Sequence, residues 1–215
     1  MDNISNVMDI LLEKYGKHRQ PTIRRTSKEN DPFKVLITCL LSLRTQDRNT
    51  EIASNNLFQH VKKPEDIIKM PIKKLEKLIY SSGHYRKKAR TIKHVTKEII
   101  TRFNRIVPSN KEDLLSIKGI GPKTANIVLS FAYGQMVLPI DTHCHRIPNR
   151  LGWVKTKTPE QTEIELMKIL PKKYWMEFNT TIILFGKDIC VPISPKCSVC
   201  PVNKYCPRIG VILRR

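Results

Sequence analysis

The 215 residues suffice for one large domain or two small ones with a sizeable buried core. Lys and Arg number 39 against 19 Asp and Glu, a net charge of +20 with pI ≈ 9.9; the excess favours polyanions such as nucleic acid or an anionic membrane surface. No apolar run reaches a membrane span, and the opening Met-Asp-Asn-Ile-Ser has neither the basic nor the apolar stretch of a signal peptide, so a reducing, cytoplasmic setting is the expectation.

Taken in chain order, the pattern is helical nearly throughout. Ile4, Val7, Met8, Leu11 and Leu12 recur at three and four, which predicts an amphipathic first helix behind Asp2 and Asn3 as caps. Residues 17–30 are polar and basic and read as a connector. Asp31-Pro32 then opens a strongly apolar helix through Val35-Leu-Ile-Thr-Cys-Leu-Leu41, with Asp at the N-cap and Pro in the first turn. Cys39 reads as a small core residue. Short helices are predicted over about 49–60, 64–69 and 71–81, punctuated by Pro64, Pro71 and Gly83. From Tyr85 a longer helix carries Ala89, Ile92, Thr96, Ile99 and Phe103 on one stripe and Arg86, Arg90, Lys93 and Lys97 on the next. Residues 62–105 hold fourteen Lys and Arg against four Asp and Glu, half of the net +20, a concentration that suits a DNA backbone, although a basic helix face is also simply a solvated one.

Lys111–Ala132 reads helix, tight turn, helix. Ile117, Gly119, Ile120 and Gly121 make the turn, and Pro122 starts the second helix, with Ala125, Val128, Leu129 and Ala132 facing inward. Two glycines permit a sharp turn and a close backbone approach, and the helix start offers an anion site fit for a DNA phosphate. The run Gly-Pro-Lys-Thr is not a nucleotide-binding P-loop, because the gap between glycines is too short and no strand precedes it. Lys123 falls near the second helical position, where a cation opposes the helix dipole. That setting suits an amine that attacks carbon; the alternative is a phosphate-binding lysine. Asp141, in Leu138-Pro-Ile-Asp-Thr-His143, reads as an N-cap, and a fixed carboxylate can also stabilise an oxocarbenium-like sugar.

Beyond it, Thr158 and Gln161 have capping-box spacing around Pro159, so a helix runs to about Leu170, and another covers about 175–187. Trp153, Trp175 and Phe178 read as core. His143-Cys144-His145 points its neighbours in different directions on a helix and is not read as a metal site. No alternating strand is evident, so the fold class is all-α. Near the end, Cys190, Cys197, Cys200 and Cys206 are spaced Cys-x6-Cys-x2-Cys-x5-Cys. In a reducing setting such a group binds metal more often than it forms disulfides; spacing alone does not choose between iron–sulfur and zinc.

Together, Ile117-Lys-Gly-Ile-Gly-Pro-Lys-Thr-Ala-Asn126, Ile140-Asp-Thr-His143 with Arg146 and Asn149-Arg150, and the cysteine spacing resemble endonuclease III. This is the bifunctional DNA glycosylase/AP lyase branch of the helix–hairpin–helix Gly/Pro/Asp superfamily, and the similarity runs from about Asp31 to Arg208. The resemblance implies two helical subdomains flanking a DNA-binding cleft. Residues 26–137 would form a six-helix barrel-like domain with the hairpin at about 111–132, and 1–25 plus 138–215 a second domain carrying a cluster loop at 190–206.

It further implies a monomeric enzyme acting on double-stranded DNA with a damaged base or AP site, in the nucleoid and without membrane association. Lys123 would attack C1′, expel the base and form a Schiff base that breaks the strand by β-elimination, with Asp141 assisting. Gly119 and Gly121 would hold a phosphate, and the four cysteines a [4Fe–4S] cluster, chosen over zinc by the resemblance. The loops Ser42-Leu-Arg-Thr-Gln-Asp47 and Gly83-His-Tyr-Arg86 would supply the wedge that base flipping requires, through Arg44, Gln46, His84 and Arg86. Relatives often have Gln and an apolar residue where Arg44 and His84 stand here, which leaves the lesion range open. Asp47 is either a second pocket carboxylate or a helix cap, and Lys196 is expected to meet phosphate. The competing readings are a glycosylase for mismatched or deaminated bases, and a non-catalytic DNA-binding protein with a structural cluster.

Overall fold

A computed structural model describes residues 2–16 and 22–215. Twelve α-helices follow along the described residues: α1 (Asp2–Tyr15), α2 (Thr22–Ser27), α3 (Pro32–Ser42), α4 (Asp47–His60), α5 (Pro64–Lys69), α6 (Ile72–Leu78), α7 (Tyr85–Arg102), α8 (Lys111–Ser116), α9 (Pro122–Tyr133), α10 (Thr142–Arg150), α11 (Pro159–Ile169) and α12 (Trp175–Asp188). No strand occurs among the described residues, so the fold is all-α. None of these helices is long and apolar enough to cross a membrane.

The chain divides into two compact units, Gln20–Gln135 and Met1–Arg19 with Met136–Arg215. In the first, α3 is the central element. Asp31 Oδ1 accepts the amides of Phe33 (2.9 Å) and Lys34 (3.1 Å), Pro32 sits in the first turn, and every residue of α3 from Phe33 to Leu41 except Lys34 is buried. A helix apolar all round must be enclosed, and α2, α4, α7 and α9 pack around it. On α7 the stripe Ala89, Ile92, Thr96 and Ile99 is fully buried, and Phe103 continues it half-buried.

Two sequence expectations are corrected here. The stretch read as a connector over 17–30 contains α2, and of that stretch residues 17–21 lie outside the described ones. The helix is held by tertiary bonds that its own sequence does not announce: Asp47 Oδ1 accepts the Thr22 amide at 2.9 Å, and Arg25 pairs with Glu51 at 2.8 Å. Those bonds tie α2 to α4 within the first unit. Asn3 is not a cap. It lies inside α1 and donates through Nδ2 to the Tyr205 carbonyl at 3.2 Å.

The second unit has one core, in which Val7, Met8 and Leu11 of α1 meet Ile147 of α10, Leu166 of α11 and Phe178, Ile182 and Phe185 of α12. Trp175 and Phe178 belong to that core and Trp153 packs against it. Thr158 caps α11, its hydroxyl accepting the Gln161 amide at 3.3 Å, but Gln161 Oε1 reaches back to the Lys157 amide at 2.9 Å, one residue before the cap, so the reciprocal half of the box is displaced by one residue.

Candidate active site

The hairpin is built by α8, a turn and α9. The Ile120 amide closes the turn onto the Ile117 carbonyl at 3.0 Å. Gly119 takes φ +106°, and a Cβ there would stand 2.8 Å from Thr91 Cγ2, so backbone and space both demand glycine. Gly121 has φ −100° and ψ 173°, open to any residue, and a Cβ there would meet nothing within 4 Å. The two glycines therefore do different things: one makes the turn, the other leaves an open approach to the start of α9. Pro122 occupies the first turn and Gly121 supplies no side-chain cap, so the positive end of the α9 dipole is not spent on a cap.

Lys123, half-buried, follows Pro122. Next to it Thr124 is buried where α9 packs on α3 near Cys39, whose thiol burial pushes up to about 11. That packing clamps the first turn of α9 to the central helix and fixes the backbone from which Lys123 extends. Cys39 is thus a core residue beside the lysine's helix.

Asp141 caps α10: its Oδ1 accepts the amides of His143 and Cys144, each at 2.9 Å. Buried Leu138 and Ile140 hold the preceding segment, and Asn179 Nδ2 donates to the Pro139 carbonyl at 2.7 Å. One carboxylate oxygen is therefore pinned to the start of α10, and the backbone before it is held by the core. His143 packs on α12 at Gly186, where a Cβ would lie 2.4 Å from its Nδ1, and His145 Nδ1 bonds Thr162 Oγ1 at 2.7 Å. Lys123 and Asp141 belong to different units.

The loops expected to carry the wedge are tied to one another. Gly83 donates its amide to Thr45 Oγ1 at 3.1 Å, and the Ser82 hydroxyl donates to the Leu41 carbonyl at 2.9 Å. A Cβ on Gly83 would come within 3.1 Å of the Arg44 carbonyl, so glycine permits the close pass. Arg44 and His84, both exposed, take left-handed backbone at φ 51° and 58°. Arg86 lies over the Tyr85 ring, 5.1 Å from its centroid. Gln46 is exposed and makes no side-chain bond to the start of α4. Asp47 ties down α2 through Thr22, which accounts for it as a cap of that neighbouring helix.

The four cysteines line one cavity with Ile147, Leu151, Phe185, Ile189 and Val202. Sequence reasoning passed over what supports it. Arg150 is buried beneath the loop, and its guanidinium donates to the carbonyls of Val191 (2.8 Å) and Pro192 (2.6 Å) and to Cys190 Sγ (3.4 Å). The only signal was its place in the Arg146 and Asn149-Arg150 pattern that carries the resemblance, which says nothing of its partners. Arg146 also reaches the Cys190 carbonyl at 2.8 Å, and burial lowers its pKa. None of the six cysteines is in a disulfide. Among the described residues no three His, Cys, Asp or Glu side chains converge on a single ion position. Four thiols lining one cavity are the donor set that a [4Fe–4S] cluster takes, one thiolate to each iron. Lys196 Nζ lies 3.8 Å from Asp188 Oδ1, so its charge is partly engaged within the unit.

Residues 37–172 match the HhH-GPD superfamily of base excision DNA repair proteins, and residues 190–206 match the iron–sulfur binding domain of endonuclease III. The chain is 42% identical over 196 residues to endonuclease III of Thermotoga maritima, covering 91% of this chain and 92% of that one. With endonuclease III of Rickettsia conorii it shares 32% over 202 residues, 94% and 96% of the two chains. Among solved structures, a trapped endonuclease III–DNA covalent intermediate superposes with TM-score 0.82 at 32% identity over 96% of this chain and 95% of that one. A thermostable thymine-DNA glycosylase also gives 0.82, at 25% identity over 96% of each.

Proposed function

This chain belongs to the HhH-GPD superfamily of base excision DNA repair proteins, in its endonuclease III branch, and on that premise we propose that Lys123 is the nucleophile and Asp141 its carboxylate partner. The protein is a DNA glycosylase and AP lyase that binds DNA and carries a [4Fe–4S] cluster. Cys190, Cys197, Cys200 and Cys206 hold the cluster, which organises the C-terminal loop.

In the proposed reaction the Lys123 amine attacks C1′ of the flipped nucleotide and the base departs with the C1′–N bond electrons. The C1′–O4′ bond then breaks, O4′ leaving as a hydroxyl that takes up a proton, and the Schiff base so formed makes the C2′ proton acidic; loss of that proton drives β-elimination, which breaks the C3′–O bond and expels the 3′ phosphate. Asp141, one oxygen pinned by two amides, stabilises positive charge at the sugar and serves as base. Gly119, Gly121 and the start of α9 hold a phosphate beside Lys123. Arg44, Gln46, His84 and Arg86 act on the flipped site, and Lys196 on the backbone near the cluster loop. The observation that carries this reading is a half-buried lysine in the first turn of an uncapped helix, in a chain similar to an enzyme trapped covalently on DNA.

Borohydride trapping on AP-site duplex tests it. Lys123→Ala is expected to reduce the covalent adduct to background, and an adduct formed at wild-type rate would remove Lys123 from the role. The substrate class proposed is oxidised pyrimidines. Likeness to a thymine-DNA glycosylase favours a second reading, mismatched or deaminated bases, and a panel of lesion duplexes decides between them.

A further inference from the structure

Lys88 is the one Lys or Arg of the basic stretch over 62–105 that is buried, at 8% exposure. Its ammonium donates three hydrogen bonds: to the Leu41 carbonyl (2.6 Å), Thr45 Oγ1 (2.7 Å) and Ser82 Oγ (2.7 Å). These acceptors come from the end of α3, the loop to α4, and the loop before α7. Leu41 lies in the last turn of α3, where carbonyls lack helical partners and a cation is favoured by the dipole. Thr45 Oγ1 also accepts the Gly83 amide, and Ser82 Oγ also donates to Leu41. The result is one buried polar knot, three donors on three acceptors, with an exposed left-handed residue on each side of it, Arg44 and His84.

A buried ammonium costs free energy unless its bonds are made, and a surface lysine would bind DNA without that cost. Left-handed backbone at a non-glycine residue also persists only where its surroundings enforce it. Both features have one explanation. We infer that Lys88 is a positioning residue for duplex distortion: it locks the two loops together so that Arg44 and His84 meet DNA as a single rigid unit. The inference rests on the proposal that these two side chains act on the flipped site.

The test uses the cluster-loaded enzyme on AP sites in duplex and in single-stranded DNA, since only the duplex must be distorted. Lys88→Met is expected to lower the single-turnover duplex rate about tenfold, within the range a misplacement of about 1 Å can cost, and the single-strand rate at most about twofold. Added to Arg44→Ala/His84→Ala, it is expected to cost less than about twofold more on duplex, because residues acting through one unit are not additive. Equal losses on both DNAs, or a fully additive loss in the combined variant, would overturn the inference. If Arg44→Ala/His84→Ala itself does not shift the duplex-to-single-strand ratio, the wedge reading fails first, and visibly. Thr45→Val, on the half-buried side of the knot, provides the same readout should Lys88→Met not fold.

Discussion

At the hairpin, Gly119 takes φ +106° with no side chain to oppose it, while at the paired loops Arg44 and His84 hold φ 51° and 58° with full side chains attached. Each site places left-handed backbone near a surface proposed to meet DNA. A phosphate can be held by amides alone, so glycine serves at the hairpin. A residue that must enter or prop open a base stack cannot be glycine. Its backbone strain, about 1–3 kcal/mol per residue, must be held by contacts from elsewhere, and here the Lys88 knot provides them. The contrast is between a conformation supplied by residue type and one supplied by tertiary bonds.

The largest expected effect lies on the hairpin side. Gly119→Ala combines left-handed strain with a Cβ only 2.8 Å from Thr91 Cγ2 and should cost roughly 2–4 kcal/mol of stability in denaturant titration. Gly121→Ala meets open space, so its stability should stay within about 0.5 kcal/mol of wild type, while affinity for AP-site duplex weakens. If the two variants behave alike, the division of labour between the glycines is wrong.

The loops should respond in the opposite sense. Exchanging His84 for glycine relieves the left-handed backbone, and the melting temperature should rise, by an amount equivalent to roughly 0.5–1 kcal/mol. Activity on duplex should fall because the side chain is gone. A variant that loses stability would show that His84 is held by packing rather than strained for use, and the contrast with Gly119 would collapse.

What could be read in the sequence follows the same division. The cap at Asp31, the Pro122 helix start, the hairpin glycines and the cysteine spacing are written within a few consecutive residues, where local rules apply. The knot is not. Lys88 reaches residues 47 and 43 positions away, and Ser82 reaches one 41 away, so in the sequence Lys88 is one cation among fourteen. The same limit hid α2, whose cap Asp47 lies 25 residues downstream, and Arg150, whose partners Val191 and Pro192 lie 41 and 42 residues on. Asp141 was legible as a cap because its amide partners are two and three residues ahead.

The smallest effect tests the knot by pH. Burial lowers the Lys88 ammonium to about 8, below the ordinary lysine value it regains on unfolding, about 10.4. Below about 8 both states carry the proton, and the cost of burying the charge is fully present. Between about 8 and the unfolded value the unfolded chain binds a proton that the folded one lacks, so this group adds stability as pH rises. Its partners, a carbonyl and two hydroxyls, do not titrate there, so the change belongs to Lys88. The stability difference between wild type and Lys88→Met should therefore be flat from pH 6 to about 8 and shift toward wild type above it. A neutral amine keeps only two donors for three acceptors, so duplex activity should weaken over the same interval even as the fold gains. A difference that moves against wild type with rising pH would mean that the three acceptors outweigh burial and hold the ammonium charged; the loops would then stay locked, and the pH limb on duplex activity would be absent.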